Sequence, residues 1–130
     1  MNRQIEFYQS KLEFETDSSD LFEALENNDS FIPLDARKSF GFEKEHIPGA
    51  INIPHREMSE GTTAHLDKTK TYVCYCDGIG CNASTKGALN MSKLGFKVKE
   101  LIGGLEWWKY EGYETEGTHS KAGKKVICAC

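Results

Sequence analysis

The 130-residue sequence lacks three features that would each indicate a distinct class of protein. It has no apolar run long enough to cross a bilayer, which argues against a membrane-spanning chain. No apolar segment followed by small residues occurs in its first residues, MNRQIEFYQSKLEF, so we predict no secretory signal. A basic excess is also absent, because the net charge is −4. We therefore expect a cytoplasmic protein without nucleic acid or membrane as a partner.

The cysteine content also lacks the pattern of a disulfide-stapled protein. Five cysteines are present, and an odd number argues against a closed disulfide framework. In a reducing compartment they are expected to be free thiols, which calls for another explanation of their presence. The length suits one domain, and 38% apolar and 11% aromatic residues exclude a disordered chain.

Hydrophobic periodicity and turn residues predict alternating helices and strands. In chain order we predict a helix over 1–12, an extended piece over 12–15, a helix capped by Asp17 or Ser18 and ended by Asn27, a strand over 31–34, a loop over 38–54 with a short strand near 51–53, a short helix over 55–59, a strand over 72–75, a helix from 82 or 84 to 94, a strand over 96–102, a last helix after Gly104, and a flexible tail over 116–130. This alternation predicts an α/β fold, with a parallel sheet covered by helices on both faces.

Cys76 stands out because it follows a nearly continuous apolar strand and precedes a glycine-containing loop and a helix. Ligands of open α/β sheets bind beyond the carboxyl ends of the strands, where this residue falls. Loop N–H groups and the helix N-terminus are expected to stabilise a thiolate, which would lower the pKa of Cys76. The alternative is an inert apolar cysteine, and we assign that role to Cys74, within the strand.

Four sequence blocks together resemble a single-domain rhodanese, over roughly residues 13–115. They are Leu34–Arg37, His46–Pro54 (HIPGAINIP), Tyr75–Cys76, and Leu101–Gly104 followed by a tryptophan and Gly112. The resemblance implies a single rhodanese-like domain with a five-stranded parallel sheet flanked by helices. Residues 1–12, as an N-terminal helix, and 116–130, as a tail ending in Cys-x-Cys, would lie outside this domain.

The resemblance further implies sulfur transfer through a persulfide on the catalytic Cys76, without a cofactor or metal. The partners would be a sulfane-sulfur donor and a thiol acceptor, each a small molecule or a protein. Asp35 and Arg37 would support the site, the alternative being an ordinary surface ion pair. The loop that binds the persulfide and substrate would comprise Asp77, Gly78, Ile79, Gly80, Cys81 and Asn82.

The loop departs from the family's usual Cys-x-x-Gly-x-Arg pattern, because Cys81 stands in the place of the arginine. Asp77 adds a negative charge beside the nucleophile, which opposes thiolate formation and repels dianions. We therefore expect weak activity with thiosulfate and better activity with persulfide donors. A phosphatase-like reaction is disfavoured because it needs an arginine in the loop to bind the oxyanion.

Three further thiols are candidates for redox or acceptor roles: Cys81, Cys128 and Cys130. Cys81 is either a resolving thiol for Cys76 or a loop residue that fills space. Cys128 and Cys130 form either a mobile acceptor or a terminus without function. Two other functions stay open, namely a non-catalytic rhodanese-like module that binds a partner or senses redox state, and a thiol oxidoreductase using Cys76 and Cys81.

Overall fold

The computed structural model describes residues 2–122, in which helices and strands alternate along the chain. In chain order the elements are α1 (Arg3–Phe14), β1 (Glu15–Thr16), α2 (Ser18–Glu26), β2 (Phe31–Asp35), α3 (Ser39–Lys44), β3 (Ile51–Asn52), a 3-10 helix (His55–Glu57), α4 (Glu60–Thr63), β4 (Thr71–Tyr75), α5 (Ala83–Lys93), β5 (Lys97–Leu101) and α6 (Gly104–Tyr110). None of the helices in this described part is long and apolar enough to cross a membrane.

The five strands found within residues 2–122 form one parallel sheet in the order β1-β5-β4-β2-β3. The strand β4 lies at its centre, between β5 and β2. Pro33 is tolerated in β2 because β3 pairs with this strand only from Leu34 onward, beyond the proline that lacks an N–H donor. This arrangement confirms the predicted parallel sheet.

Side chains alternate along the central strand and build a core on each face of the sheet. Val73 and Tyr75 of β4 belong to a cluster with residues of α2 and α6, such as Leu21 and Trp108. Tyr72 and Cys74 face the opposite way, into a second cluster with α5. Helices thus cover both faces, as the alternation predicted, and Cys74 is a core residue.

Two short helices were not predicted, and several element boundaries differ from those predicted, most by one or two residues. The helix α3 lies inside the predicted loop over 38–54; it has six residues, includes Gly41 and has no buried residue, so no apolar periodicity marks it. Another short helix, α4, starts from a capping box between Ser59 and Thr62. The first helix runs to Phe14 rather than Leu12, and the extended piece is confined to β1.

The predicted tail lies only partly within the described residues. Glu116 forms an antiparallel bridge with His46, while Thr118 and His119 donate backbone hydrogen bonds to the carbonyls of Glu43 and Lys44. Residues 116–122 therefore contact α3 and the segment after it. The remainder of the predicted tail, over 123–130, lies outside the described residues.

Candidate active site

Cys76 follows the central strand β4 directly, at the carboxyl edge of the sheet. The loop 77–82 connects it to α5, so the side chain lies below the N-terminal end of that helix. Only 1% of the residue is exposed. A reactant can therefore reach the sulfur only after the loop moves.

The sulfur of Cys76 contacts carbonyl oxygens of the loop on one side. Its thiol donates toward the carbonyl of Cys81, with Sγ and oxygen 3.1 Å apart, and toward that of Gly78 at 3.7 Å. The predicted ring of inward N–H groups is therefore not the conformation seen here. Carbonyl oxygens stabilise a protonated thiol and repel an anion, so this loop conformation favours the neutral sulfur.

On the other side, the first turn of α5 contacts the sulfur. The Ser84 N–H donates to Cys76, and the Cys76 thiol donates toward the Ser84 hydroxyl oxygen, which lies 3.6 Å from Sγ. Burial has the largest effect on the pKa of this thiol and raises it, as does the proximity of Cys81, whereas the contacts with Ser84 lower it. The net direction is upward, so the predicted lowering of the Cys76 pKa is wrong for this conformation. The sequence indicated a helix N-terminus beside Cys76 but did not indicate that Cys76 itself is buried.

Ser84 in turn donates its hydroxyl proton to Glu100 of β5, with an oxygen–oxygen distance of 2.8 Å. Thr85 donates to the same carboxylate oxygen at 2.6 Å but does not reach the sulfur. A chain of hydrogen bonds therefore leads from Cys76 through Ser84 to a carboxylate near the protein surface. This chain orients the serine hydroxyl beside the thiol.

The start of the loop is anchored on α6. The N–H groups of Leu105 and Glu106, which have no partner within their own helix, bind the carbonyls of Cys76 at 2.9 Å and Asp77 at 2.7 Å. Gly104 permits this close approach, with φ of +59°. A Cβ atom on it would lie 2.4 Å from the Cys76 carbonyl oxygen. The loop can pass over α6 only because this position is glycine.

Asp35, the last residue of β2, and Arg37 lie beside the loop, where the resemblance implied a supporting role for them. Arg37 binds the fully buried Asp35 through Nε and a terminal nitrogen, the shortest distance being 2.7 Å. Its other terminal nitrogen lies 2.8 Å from Asp77 Oδ1. Burial would lower the pKa of Arg37, but its bonds to Asp35 and Asp77 raise it overall, so the guanidinium stays charged. The negative charge of Asp77 is consequently paired with Arg37, so it does not act on the sulfur as an isolated charge.

A cavity of about 370 Å³ opens beside the loop, on the side of β2 and the 3-10 helix. Its walls combine apolar surface from Phe40 and Pro54 with the cationic side chains of Lys38 and Arg56. Burial first, and then the charges of Lys86 and Arg56, lower the pKa of His55 in the same wall. The carboxylates of Glu57 and Asp77 also line the cavity, so its walls carry charges of both signs, with Arg37, Lys38 and Arg56 as the cations available to an anionic molecule that has an apolar portion.

The structure brings together the predicted site residues that it describes. Within the loop, Gly78 and Cys81 contact the Cys76 sulfur through their carbonyls, whereas Ile79 is 84% exposed. Cys81 lines the cavity and contacts Cys76, while Asn82 immediately precedes α5. The candidate thiols Cys128 and Cys130 lie outside the described residues. Within residues 2–122 no three His, Cys, Asp or Glu side chains are arranged to hold a metal ion.

The sequence did not reveal that Ser84 contacts the Cys76 sulfur or that Glu100 binds Ser84. It also did not reveal that the loop passes directly over Gly104. A signal existed for Ser84, since it falls in the first turn of the helix predicted after the loop. For Gly104 the sequence indicates a motif and the start of the last helix, but not the contact with the loop. Glu100 had no signal, because its proximity results from the pairing of β5 with β4.

Comparison with known families gives a match to the model of the rhodanese-like domain over residues 18–111. Among solved structures, the protein BH2092 from Bacillus halodurans superposes with a TM-score of 0.87 at 42% sequence identity. That alignment covers 92% of this chain and 88% of the other. The similarity therefore extends over nearly the whole of both chains.

Two functionally described relatives match over shorter stretches. The thiosulfate sulfurtransferase PspE from Escherichia coli is 36% identical over 74 residues, which are 56% of this chain and 69% of that protein. The transcriptional regulator Rv0324 of the helix-turn-helix type, from Mycobacterium tuberculosis, is 33% identical over 79 residues. These are 61% of this chain but only 34% of the regulator, so the chain corresponds to about a third of that protein.

Proposed function

The chain belongs to the rhodanese-like domain family, and from that premise we propose that it is a sulfurtransferase carrying sulfane sulfur as a persulfide on Cys76. The proposal rests on one observation above all, which is the position of Cys76 between the central strand and Ser84 of α5. It is supported by the matched relative described as a thiosulfate sulfurtransferase.

The proposed reaction has two steps at one sulfur atom. The Cys76 thiolate attacks the outer sulfur of a donor RS–SH, the S–S bond of the donor breaks, and RS⁻ leaves. Cys76 then holds a persulfide, whose outer sulfur is attacked by an acceptor thiolate. That second exchange forms an acceptor persulfide and returns Cys76 as a thiolate, so no cofactor is consumed.

The proposed transfer would require the loop to open and turn. The Gly78 and Cys81 carbonyls cover the thiol and would repel a persulfide anion, whereas inward N–H groups would stabilise it. Gly80 has no atom within 4 Å of the place where a Cβ would lie, so its surroundings leave space for movement. Asp77, held by Arg37 and α6, would stay in place while the later part of the loop rearranges.

The cavity beside the loop favours a low-molecular-weight persulfide with carboxylates over thiosulfate. Lys38 and Arg56 offer charges to carboxylates, and Phe40 offers apolar surface to the carbon chain. Thiosulfate is a compact dianion that uses little of this cavity and meets no arginine within the loop. We therefore propose that persulfides of the glutathione type are the better donors, with protein persulfides also accepted.

Steady-state sulfur transfer to a thiol acceptor tests this proposal. We expect kcat/KM to be higher for glutathione persulfide than for thiosulfate, and Cys76→Ser to lose transfer from both donors. The conservative core variant Cys74→Val removes one thiol outside the loop and is expected to retain activity. A clear preference for thiosulfate would refute the donor assignment, and full activity of Cys76→Ser would refute the nucleophile.

A binding or redox-sensing module is the second candidate function, and the covered sulfur favours it. With 1% exposure, Cys76 in this conformation is shielded from any donor. If the loop never opens, the domain would present its cavity to a ligand or partner without reacting. Unmodified Cys76 after treatment of the folded, reduced protein with several sulfane-sulfur donors would favour this second function.

A further inference from the structure

Cys81 is placed as a chemical partner of Cys76. The Cys81 N–H donates to the Gly78 carbonyl at 3.2 Å, a turn that folds the loop back over the buried sulfur. The Cys76 thiol donates to the Cys81 main-chain carbonyl, with Sγ and oxygen 3.1 Å apart, and the proximity of Cys81 raises the pKa of Cys76. Both cysteines are free, so the loop that covers the Cys76 thiol carries a second reduced thiol.

We propose that Cys81 resolves the persulfide of Cys76, releasing sulfide and leaving a Cys76–Cys81 disulfide; this inference rests on the function proposed above. The Cys81 thiolate attacks Cys76 Sγ, and the bond between Cys76 Sγ and the outer sulfur breaks. The outer sulfur leaves as HS⁻, having gained two electrons. The two cysteine thiols are together oxidised by two electrons, so no external oxidant is needed.

The chain between the two cysteines is short and can rearrange to bring the sulfurs into bonding distance. Four residues separate them, two of which are Gly78 and Gly80, so closing the ring costs little conformational entropy. Gly80 has open space around it, and the anchored part of the loop ends at Asp77. Movement of Cys81 therefore leaves β4 and α6 undisturbed.

The different exposure of the two sulfurs decides how the disulfide would be reduced. Cys76 is buried, whereas Cys81 is partly exposed and lines the cavity. A dithiol reductant, such as a thioredoxin-type protein or dithiothreitol, would attack Cys81 and release Cys76 as the leaving thiolate. Its second thiol would then displace Cys81, which completes a cycle that consumes one dithiol for each sulfide.

This step would make the domain a persulfide reductase whenever dithiol is available and acceptor thiols are scarce. Transfer to an acceptor and resolution by Cys81 compete for the same persulfide, and they differ in product. Transfer yields an acceptor persulfide, whereas resolution yields free sulfide. The ratio of these products therefore measures the contribution of Cys81.

The test treats the full chain with one equivalent of glutathione persulfide, without reductant, and measures free sulfide together with peptide masses. In the wild type we expect sulfide release and a Cys76–Cys81 crosslinked peptide that has lost two hydrogen atoms. In Cys81→Ser we expect sulfide release to fall about tenfold or more, with one added sulfur retained on Cys76. Cys76→Ser gives the background, and Cys81→Ala repeats the test in case the serine variant does not fold.

Two control variants separate this pair from the remaining thiols. Cys74→Val removes a core thiol and should release sulfide like the wild type. Cys128→Ser combined with Cys130→Ser should also release sulfide like the wild type. Loss of release in that double variant would assign resolution to the C-terminal cysteines and overturn the role of Cys81. Dithiothreitol added to the wild type should restore repeated turnover.

The remaining outcomes distinguish failure of this inference from failure of the proposed function. A persulfide that persists equally on Cys76 in the wild type and in Cys81→Ser would overturn resolution while leaving sulfur transfer intact. An added sulfur found on Cys81 would mean that the outer sulfur of the persulfide is transferred to Cys81 instead of being released as sulfide. This result would also overturn the inference. Absence of any added sulfur from the folded Cys81→Ser and Cys81→Ala variants would overturn both resolution by Cys81 and the proposed sulfur transfer at Cys76.

Discussion

At the scale of single residues, the reactivity of Cys76 depends on opposing groups around one sulfur atom. Burial and the contact with Cys81 raise its pKa, while the N–H and hydroxyl of Ser84 lower it. The raised pKa means that the thiolate fraction at neutral pH is small until the loop moves. Reaction of Cys76 should therefore accelerate as pH rises, because the thiolate is the reactive form.

Ser84→Ala should slow the reaction of Cys76 with iodoacetamide. Loss of the hydroxyl removes a hydrogen bond that lowers the pKa of the thiol, so the half-maximal rate should shift to higher pH. Peptide mapping over a pH series measures the rate at Cys76 separately from Cys81. Thr85→Ala is the matched control, since Thr85 donates to the same Glu100 oxygen without touching the sulfur. Identical profiles for the two variants would contradict this role of Ser84.

At the scale of elements, α6 supports the loop from below through its first turn. Its two free N–H groups bind the Cys76 and Asp77 carbonyls, and Gly104 allows the backbones to meet. This arrangement fixes the beginning of the loop, whereas Gly80 in its later part has open space around it. The elements thus divide the loop into an anchored portion and a portion that can turn.

Gly104→Ala should destabilise the protein and displace the loop. The left-handed conformation alone costs an ordinary residue about 1–2 kcal/mol, and the overlap with the Cys76 carbonyl adds to this. Gly80→Ala is the control, because a Cβ there meets no atom within 4 Å and its stability effect should be below about 1 kcal/mol. Urea unfolding measures both variants. Equal stability of the two would show that Gly104 does not support the loop.

The order and type of most elements could be predicted from the sequence, but their exact role at the site could not. The apolar strand before Cys76 and the periodicity of α5 are local signals, and both elements form where expected. The helix α3 buries none of its six residues and therefore has no pattern to detect. The start of the loop is held by bonds from α6 to the Cys76 and Asp77 carbonyls, and α6 lies far along the chain from them. The sequence could suggest a site at Cys76 but could not reveal that its sulfur is covered.

At the scale of the whole molecule, several groups that ionise at alkaline pH are buried in the two-sided core. Burial and the nearby Glu100 raise the pKa of Cys74 from 9.0 to about 12. Burial also raises the pKa of Tyr75 well above its ordinary value. The folded protein therefore retains protons that the unfolded chain releases. The stabilisation that these groups contribute to the folded protein is fully present below about pH 9, and it declines as pH rises above this value.

Urea unfolding at increasing pH should show this decline directly. We expect the free energy of unfolding to be roughly constant from neutral pH to about 9 and to fall between about 9 and 12. Cys74→Val removes one of the buried acids, so its stability should fall less steeply over the same interval, whatever its value at neutral pH. If the free energy of unfolding of Cys74→Val fell as steeply with pH as that of the wild type, Cys74 would not contribute to the decline.

The most direct measurement is peptide mass spectrometry of the Cys81→Ser variant after treatment with glutathione persulfide, with Cys76→Ser treated in parallel. We predict one added sulfur on the peptide that contains Cys76, its removal by an acceptor thiol, and no such adduct in Cys76→Ser. An adduct confined to another cysteine, or no adduct on a folded protein with reduced Cys76, would contradict persulfide transfer at this residue.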